Sequence, residues 1–303
     1  MNRTHQTIQR TRSTPLARIA FEMELTVRML GDNATAAIAP GILFTAVASH
    51  HYHLDATATA KNLAASALLF FFYLYVCDAS NQISGVAEDQ TNKPYRPIPA
   101  GMTTVQGMHR RLWGAMPVYT LLGWLTGTLP WVVLWQVIVV TLNLWSPPRY
   151  YFLAKPVVTF TGTVAQLAAA WSLVHPLDAV GWKWVIVIAA TLNLPLSFED
   201  VRDMDGDNRI GRRTLALIIG DRPVRIWFAL SMAAVPPILH FFVYAPTSTS
   251  TFSLVMVDIA LAALSWTTAI RALTIHTVKA DRTTYLMYTY AYCLSLTAGL
   301  ALL

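Results

Sequence analysis

The groups best able to do chemistry crowd into one stretch: Glu199, Asp200, Asp203, Asp205 and Asp207, followed by Arg209, Arg212 and Arg213. Carboxylates this close together repel one another unless a cation sits among them. Continued as an α-helix, the stretch puts Glu199, Asp203 and Asp207 on one face, with Asp200 at its edge and Asp205 turned away. Ligands that are all oxygen suit Mg²⁺, which keeps waters and takes further ligands from substrate phosphates; zinc or copper would want His or Cys. The arginines that follow suit phosphate oxygens, which a guanidinium can hold in bidentate fashion. Acids for a metal, with guanidinium groups close behind, are what a metal-diphosphate complex needs.

A second stretch repeats the pattern. Asp78, Asn81, Gly85, Glu88 and Asp89 fall within one helical face, and Lys93 and Arg96 follow in a loop stiffened by Pro94, Pro97 and Pro99. Asn81, Gly85 and Asp89 align with Glu199, Asp203 and Asp207 at a constant offset of 118 residues. Each stretch caps an apolar segment running to the same side of the chain's hydrophobic layer, so two half-sites can close on one diphosphate. Between them, Tyr151 and Lys155 stand four apart; they could project together toward a phosphate or serve as interfacial anchors.

The elements that must position these groups are membrane helices. Apolar residues make up 55% and charged residues 13% of the chain, and the mean hydropathy is +0.45, which excludes an ordinary soluble domain. Nine apolar segments of near-spanning length can be drawn, at about 33–49, 62–80, 112–129, 131–147, 156–174, 182–198, 226–244, 252–275 and 284–303. The expected fold is therefore all-α: a polytopic membrane protein of nine transmembrane helices, two parallel four-helix repeats plus a last helix, with its termini on opposite sides. Of 22 Lys and Arg, all but Lys61 and Lys183 fall in the N-terminal arm or in connections on its side. That asymmetry makes the N-terminus and both acidic stretches cytoplasmic. The net charge of +6 then reports topology and attraction to an anionic lipid bilayer, with no nucleic acid as partner.

Residues 1–14 read as a disordered basic arm with no apolar core for a signal peptide, and residues 15–303 as a single transmembrane domain. Its first part, Pro15 to Arg28, has Leu16, Ile19, Met23 and Val27 on one face, the pattern of a helix lying in the interface. Cys77 and Cys293 both fall in apolar segments and build no disulfide framework. His50, His51 and His53 have no carboxylate or cysteine to complete a metal site. Asp258 is an acid inside an apolar segment without an evident partner. The later aromatics, among them Tyr285, Tyr288, Tyr290 and Tyr292, read as lipid belt or core.

Asn81-Gln82-Ile83-Ser84-Gly85-Val86-Ala87-Glu88-Asp89, with Asn92-Lys93-Pro94 through Gly101, Asp200-x-x-Asp203-x-x-x-Asp207 and Gly211-Arg212-Arg213-Thr214-Leu215, resembles the UbiA superfamily of intramembrane prenyltransferases. The resemblance implies a helical bundle around a central cavity and two Mg²⁺ ions bridging an isoprenyl diphosphate such as geranyl, farnesyl or geranylgeranyl diphosphate. It also implies metal or catalytic roles for Asn81, Glu88, Asp89, Glu199, Asp200, Asp203 and Asp207. Diphosphate contacts would come from Lys93, Arg96, Tyr151, Lys155, Arg209, Arg212 and Arg213. One position departs from the common pattern: Gly85 stands where the prenyltransferases have an Asp, so a metal ligand there must come from Asp78, Glu88, water or phosphate. The form with Gly85 resembles the membrane-bound terpene cyclases of the superfamily. Ionisation of an isoprenyl diphosphate followed by cyclisation is the leading expectation, and transfer to an aromatic or lipid acceptor the alternative. A carrier of phosphorylated lipid is a third, disfavoured because both acidic faces lie at one surface and not at the midplane.

Overall fold

The computed structural model describes residues 14–247 and 249–303; the basic arm expected before Thr14 lies outside the described residues. Thr14 accepts a hydrogen bond from the Ala17 N–H (3.2 Å) and Pro15 supplies the first residue of helix α1, Pro15–Leu30. Leu16, Ile19, Met23 and Val27 are exposed on it, an apolar face that the rest of the protein leaves uncovered. The chain bends by 73° after α1 and continues through a short turn, Ala34–Ala37, into α2, Ala39–His51. Helix α3, Ala56–Ser84, starts on the Asp55 carboxylate, which accepts from the Ala58 N–H (2.8 Å).

A one-residue break at Gly85 separates α3 from α4, Val86–Asn92. Then follow α5, Val105–Leu125; α6, Leu129–Val140, which widens into a π turn at Thr141–Trp145; and α7, Tyr151–Ser172, set at 119° to α6. Helix α8, Ala179–Asn193, runs into a tight 3₁₀ stretch, Leu194–Asp203, and then α9, Met204–Arg209. The chain ends with α10, Leu215–Ile219; α11, Asp221–Leu239; α12, Thr251–Thr274; and α13, Val278–Thr297, before a final turn at Gly299–Leu302.

Among the described residues four helices are long and apolar enough to cross a membrane, and up to six if each bent pair is counted as one span. The protein is all-helical and an integral membrane protein of several spans. The core is rich in aromatic rings: Phe44 of α2 meets Trp171 of α7 (ring centroids 5.3 Å apart), and Trp184 of α8 meets Tyr244 (5.8 Å). Asp258 finds a partner after all, His240, whose Nδ1 lies 2.6 Å from its carboxylate. His51 packs its ring on Tyr52 and Trp171, as a core side chain does.

Candidate functional site

The two acidic stretches meet. Asn92, at the end of α4, donates to the Asp203 carbonyl (3.2 Å), Arg209 of α9 donates to the Thr91 hydroxyl (3.0 Å), and a Cβ at Gly206 would collide with the Asn92 amide. Helices α4 and α9 therefore touch closely only because position 206 carries no side chain. Beneath them lies one cavity whose mouth is lined by Asn81, Glu88, Lys93, Tyr151, Lys155, Glu199, Asp200, Asp203, Asp207 and Arg212.

Lysines and arginines are threaded between the acids. The Lys155 ammonium donates to Glu199 (3.0 Å) and Asp200 (2.5 Å). Lys93 reaches across from the first stretch to Asp203 (3.1 Å) and faces Glu88 (3.7 Å). Arg212 joins the two half-sites from the other side, pairing with Glu88 and with Asp207 (3.1 Å) while its guanidinium lies 4.6 Å from the centre of the Tyr151 ring. Each of these cations offers a diphosphate the N–H groups it now gives to carboxylates.

Two breaks correct the sequence reading of how the acids are displayed. The first stretch is not one helical face: α3 ends at Ser84, and α4 restarts after Gly85. The restart turns Glu88 to the cavity but directs Asp89 onto the buried Arg96, whose guanidinium donates to both carboxylate oxygens (2.9 and 3.2 Å). Burial pushes the Asp89 carboxyl up to about 6, with Arg96 and Lys93 pulling the other way. Neither Asp89 nor Arg96 lines the cavity; the pair, with Asp32 at 3.7 Å from Arg96, braces the loop behind it. The second stretch is a 3₁₀ helix through Asp203, with three residues per turn, so Asp200 and Asp203 share a face and the expected four-residue register does not hold. Pro195 cannot donate a backbone hydrogen bond at its start, which favours the tighter winding.

Arg209 and Arg213, expected on the phosphates, are exposed and outside the cavity; Arg213 donates its backbone N–H to the Pro148 carbonyl (3.1 Å). Asp205 is exposed, as expected. Asp78 lines the wall one turn below Asn81 and accepts from the Asn33 amide (2.7 Å).

The residues that the sequence reading missed lie deeper. Tyr285, Tyr288 and Tyr292 of α13 line the cavity and are not lipid belt, whereas Tyr290 is exposed. Their spacing of three and four residues was the available signal. Tyr73, Leu74 and Cys77 of α3, Trp135 and Val139 of α6, and Gln166 of α7 complete an apolar and aromatic interior. Of the rings nearest the acids in sequence, Phe70 to Tyr75 and Phe198, Tyr73 lines the cavity, whereas Phe70 and Phe198 are buried outside it, Phe198 against Phe228 (4.2 Å between centroids).

No three Asp, Glu, His or Cys side chains among the described residues lie close enough together to hold a metal ion by themselves. The donor set fits Mg²⁺ nonetheless: oxygen ligands only, spread along two walls, suit an ion that takes one or two carboxylates and completes its shell with water and phosphate.

The described residues form a helical membrane bundle with a charged mouth over an apolar, aromatic interior. Residues 38–294 match the model of the UbiA prenyltransferase family, and the chain belongs to that family of enzymes. It is 31% identical over 290 residues to somaliensene A/B synthase of Streptomyces somaliensis, covering 96% of both chains. It is 32% identical over 285 residues to diterpene cyclase eriG of Hericium erinaceus, covering 92% of this chain and 89% of the other. The fold is also that of a UbiA homolog from Archaeoglobus fulgidus solved with GPP and Mg²⁺, with a TM-score of 0.63, 11% identity, and coverage of 90% of this chain and 99% of that one.

Proposed function

We propose that the protein is a terpene cyclase that ionises an isoprenyl diphosphate at the mouth of this cavity, releases pyrophosphate, and closes the resulting carbocation on itself. The observation that carries the reading is the meeting of Asn81 and Glu88 with Asp200, Asp203 and Asp207 above one aromatic-lined interior. The likeness to somaliensene synthase and diterpene cyclase eriG supports the cyclase branch.

Lys93, Lys155 and Arg212 bind the diphosphate oxygens and stabilise the negative charge that grows as the C1–O bond breaks. Asn81, Glu88, Glu199, Asp200, Asp203 and Asp207 would hold Mg²⁺, two ions in the family pattern, which when bound supplies further neutralisation of the leaving group. The electron pair of the broken bond leaves with pyrophosphate. Tyr73, Trp135, Tyr288 and Tyr292 offer π faces to the cation and keep bulk water away from it. A distal double bond of the same chain then gives its π electrons to C1, and loss of a proton, or capture of water, ends the reaction.

The topology that goes with this reading is nine spans within one domain over residues 15–303, with the mouth and the N-terminus cytoplasmic, and the one-sided placement of Lys and Arg supports that orientation. Transfer to an acceptor shares every ionisation step. It is favoured by a second hollow, lined by Arg202, Arg282 and Tyr290, that shares Lys93, Tyr285 and Thr289 with the first. Purified protein with geranyl, farnesyl or geranylgeranyl diphosphate and Mg²⁺, without acceptor, is expected to release pyrophosphate and a cyclic hydrocarbon or alcohol. Pyrophosphate release only on addition of an acceptor would establish transfer instead.

A further inference from the structure

Along α3 the cavity wall runs from Asn81 at the mouth down to Tyr73, eight residues and therefore about 12 Å. Along α6 it runs from Asn143 to Trp135, again eight residues. The two scales are in register, because the Asn143 amide donates to the Ser80 hydroxyl (2.8 Å) at the mouth. At the lower end Tyr73 and Trp135 stack, with centroids 4.1 Å apart and planes 7° from parallel. The Trp135 indole N–H donates to the Tyr73 carbonyl (2.8 Å), and the Tyr73 hydroxyl donates to the Gly162 carbonyl of α7 (3.1 Å). Three helices are thereby tied together under the cavity. The indole reaches this position only because residue 162 is glycine: a Cβ there would collide with its six-membered ring.

We propose that the Tyr73–Trp135 stack, seated on Gly162, is the floor that sets how long a prenyl chain the cavity accepts and where that chain must turn back. The inference rests on the isoprenyl diphosphate reading above. Each isoprene unit advances by four carbon–carbon bonds of about 1.5 Å, roughly 5 Å in a zigzag chain. A farnesyl or geranylgeranyl chain, at roughly 15 or 20 Å extended, overruns a depth of about 12 Å. Such a chain cannot lie straight beneath the mouth. It must fold at the floor, and folding there returns a distal double bond toward C1, as ring closure requires. Beside this floor Gln166 of α7, about a turn below Gly162, closes the wall, its amide donating to the Ala37 carbonyl (2.6 Å) and accepting from Tyr292 (2.9 Å).

Two variants move the floor in opposite directions. Trp135→Leu lowers it, and Gly162→Ala pushes the indole off α7 toward the cavity. Initial rates of pyrophosphate release from geranyl, farnesyl and geranylgeranyl diphosphate with Mg²⁺ give the ratio of kcat/KM for the longest to the shortest chain. Trp135→Leu is expected to raise that ratio about tenfold and Gly162→Ala to lower it about tenfold, the size of effect one or two methylenes have in an apolar pocket. Thermal unfolding reports whether each variant folds; if Gly162→Ala does not, Trp135→Leu alone decides by its predicted direction. A folded Trp135→Leu with the wild-type ratio, or with equally slowed release from all three chains, overturns the floor while the ionisation reading stands. Wild-type protein inert toward all three diphosphates overturns both.

Discussion

Arg212, like Lys93, pairs with an acid from each half-site, and its removal should be repaired by removing one of those acids. The side chains of Arg212, Glu88 and Asp207 are only 10%, 6% and 3% exposed. Glu88 keeps Lys93 at 3.7 Å when the arginine is lost, whereas Asp207 has no other ion pair among the described residues. Breaking a buried pair leaves an uncompensated charge that costs about 3–5 kcal/mol, and the surviving Lys93 contact argues for the low end, about 3 kcal/mol. Arg212→Ala should therefore unfold earlier than wild type in detergent with a chelator at about pH 8, above the Asp207 carboxyl that burial raises to about 7. The double variant Arg212→Ala with Asp207→Asn should recover about 2 kcal/mol of that loss, because the stranded charge is gone. Adding Mg²⁺ should stabilise Arg212→Ala more than wild type, since the ion meets carboxylates freed of their guanidinium. In turnover the single variant should raise the diphosphate concentration required for half-maximal rate. A double variant no more stable than Arg212→Ala, in thermal unfolding of the chelated protein, would refute the bridging role.

Asp203→Ala or Asp207→Ala should slow Mg²⁺-dependent pyrophosphate release by about 100-fold or more, with retention of prenyl alcohol binding; a rate near wild type would remove these acids from the mechanism. Gly85→Asp brings a third carboxylate beside Glu88 and Arg212, since a Cβ at 85 would sit 3.4 Å from Glu88 Oε2 and 3.9 Å from Arg212 Nη2. Product analysis with and without an aromatic acceptor should then show gain of transfer at the expense of cyclisation; an unchanged product ratio makes Gly85 indifferent to the choice. Burial raises the Asp89 carboxyl from 3.8 to about 6, so its contribution to stability is present at low pH and lost as pH rises through about 6. Denaturation midpoints from pH 4 to pH 7 should fall less steeply for Asp89→Asn than for wild type, and parallel curves would count against a raised Asp89.

Much of this protein was legible in its linear order. Composition alone required a membrane bundle, because a chain with 55% apolar and 13% charged residues can bury its surface only against lipid and itself. The spacing of Asn81 through Asp89 and of Glu199 through Asp207 announced two oxygen-rich half-sites, and Lys93, Lys155 and Arg212 were expected beside them and do line the mouth. Side-chain direction was another matter. Spacing alone implies a uniform α-helical register across both stretches, whereas the winding changes at Gly85 and from Leu194 to Asp203. Those local changes send Asp89 to Arg96 and put Asp200 and Asp203 on one face, outcomes decided by which neighbours α4 and α9 pack against. The greasy half of the cavity was invisible for a related reason: Tyr73, Trp135, Gln166 and Tyr292 come from four helices, and any one of them reads as ordinary core. Periodicity says that a helix has an inner face; only the packing of the helices determines whether that face meets another side chain or the wall of a hollow.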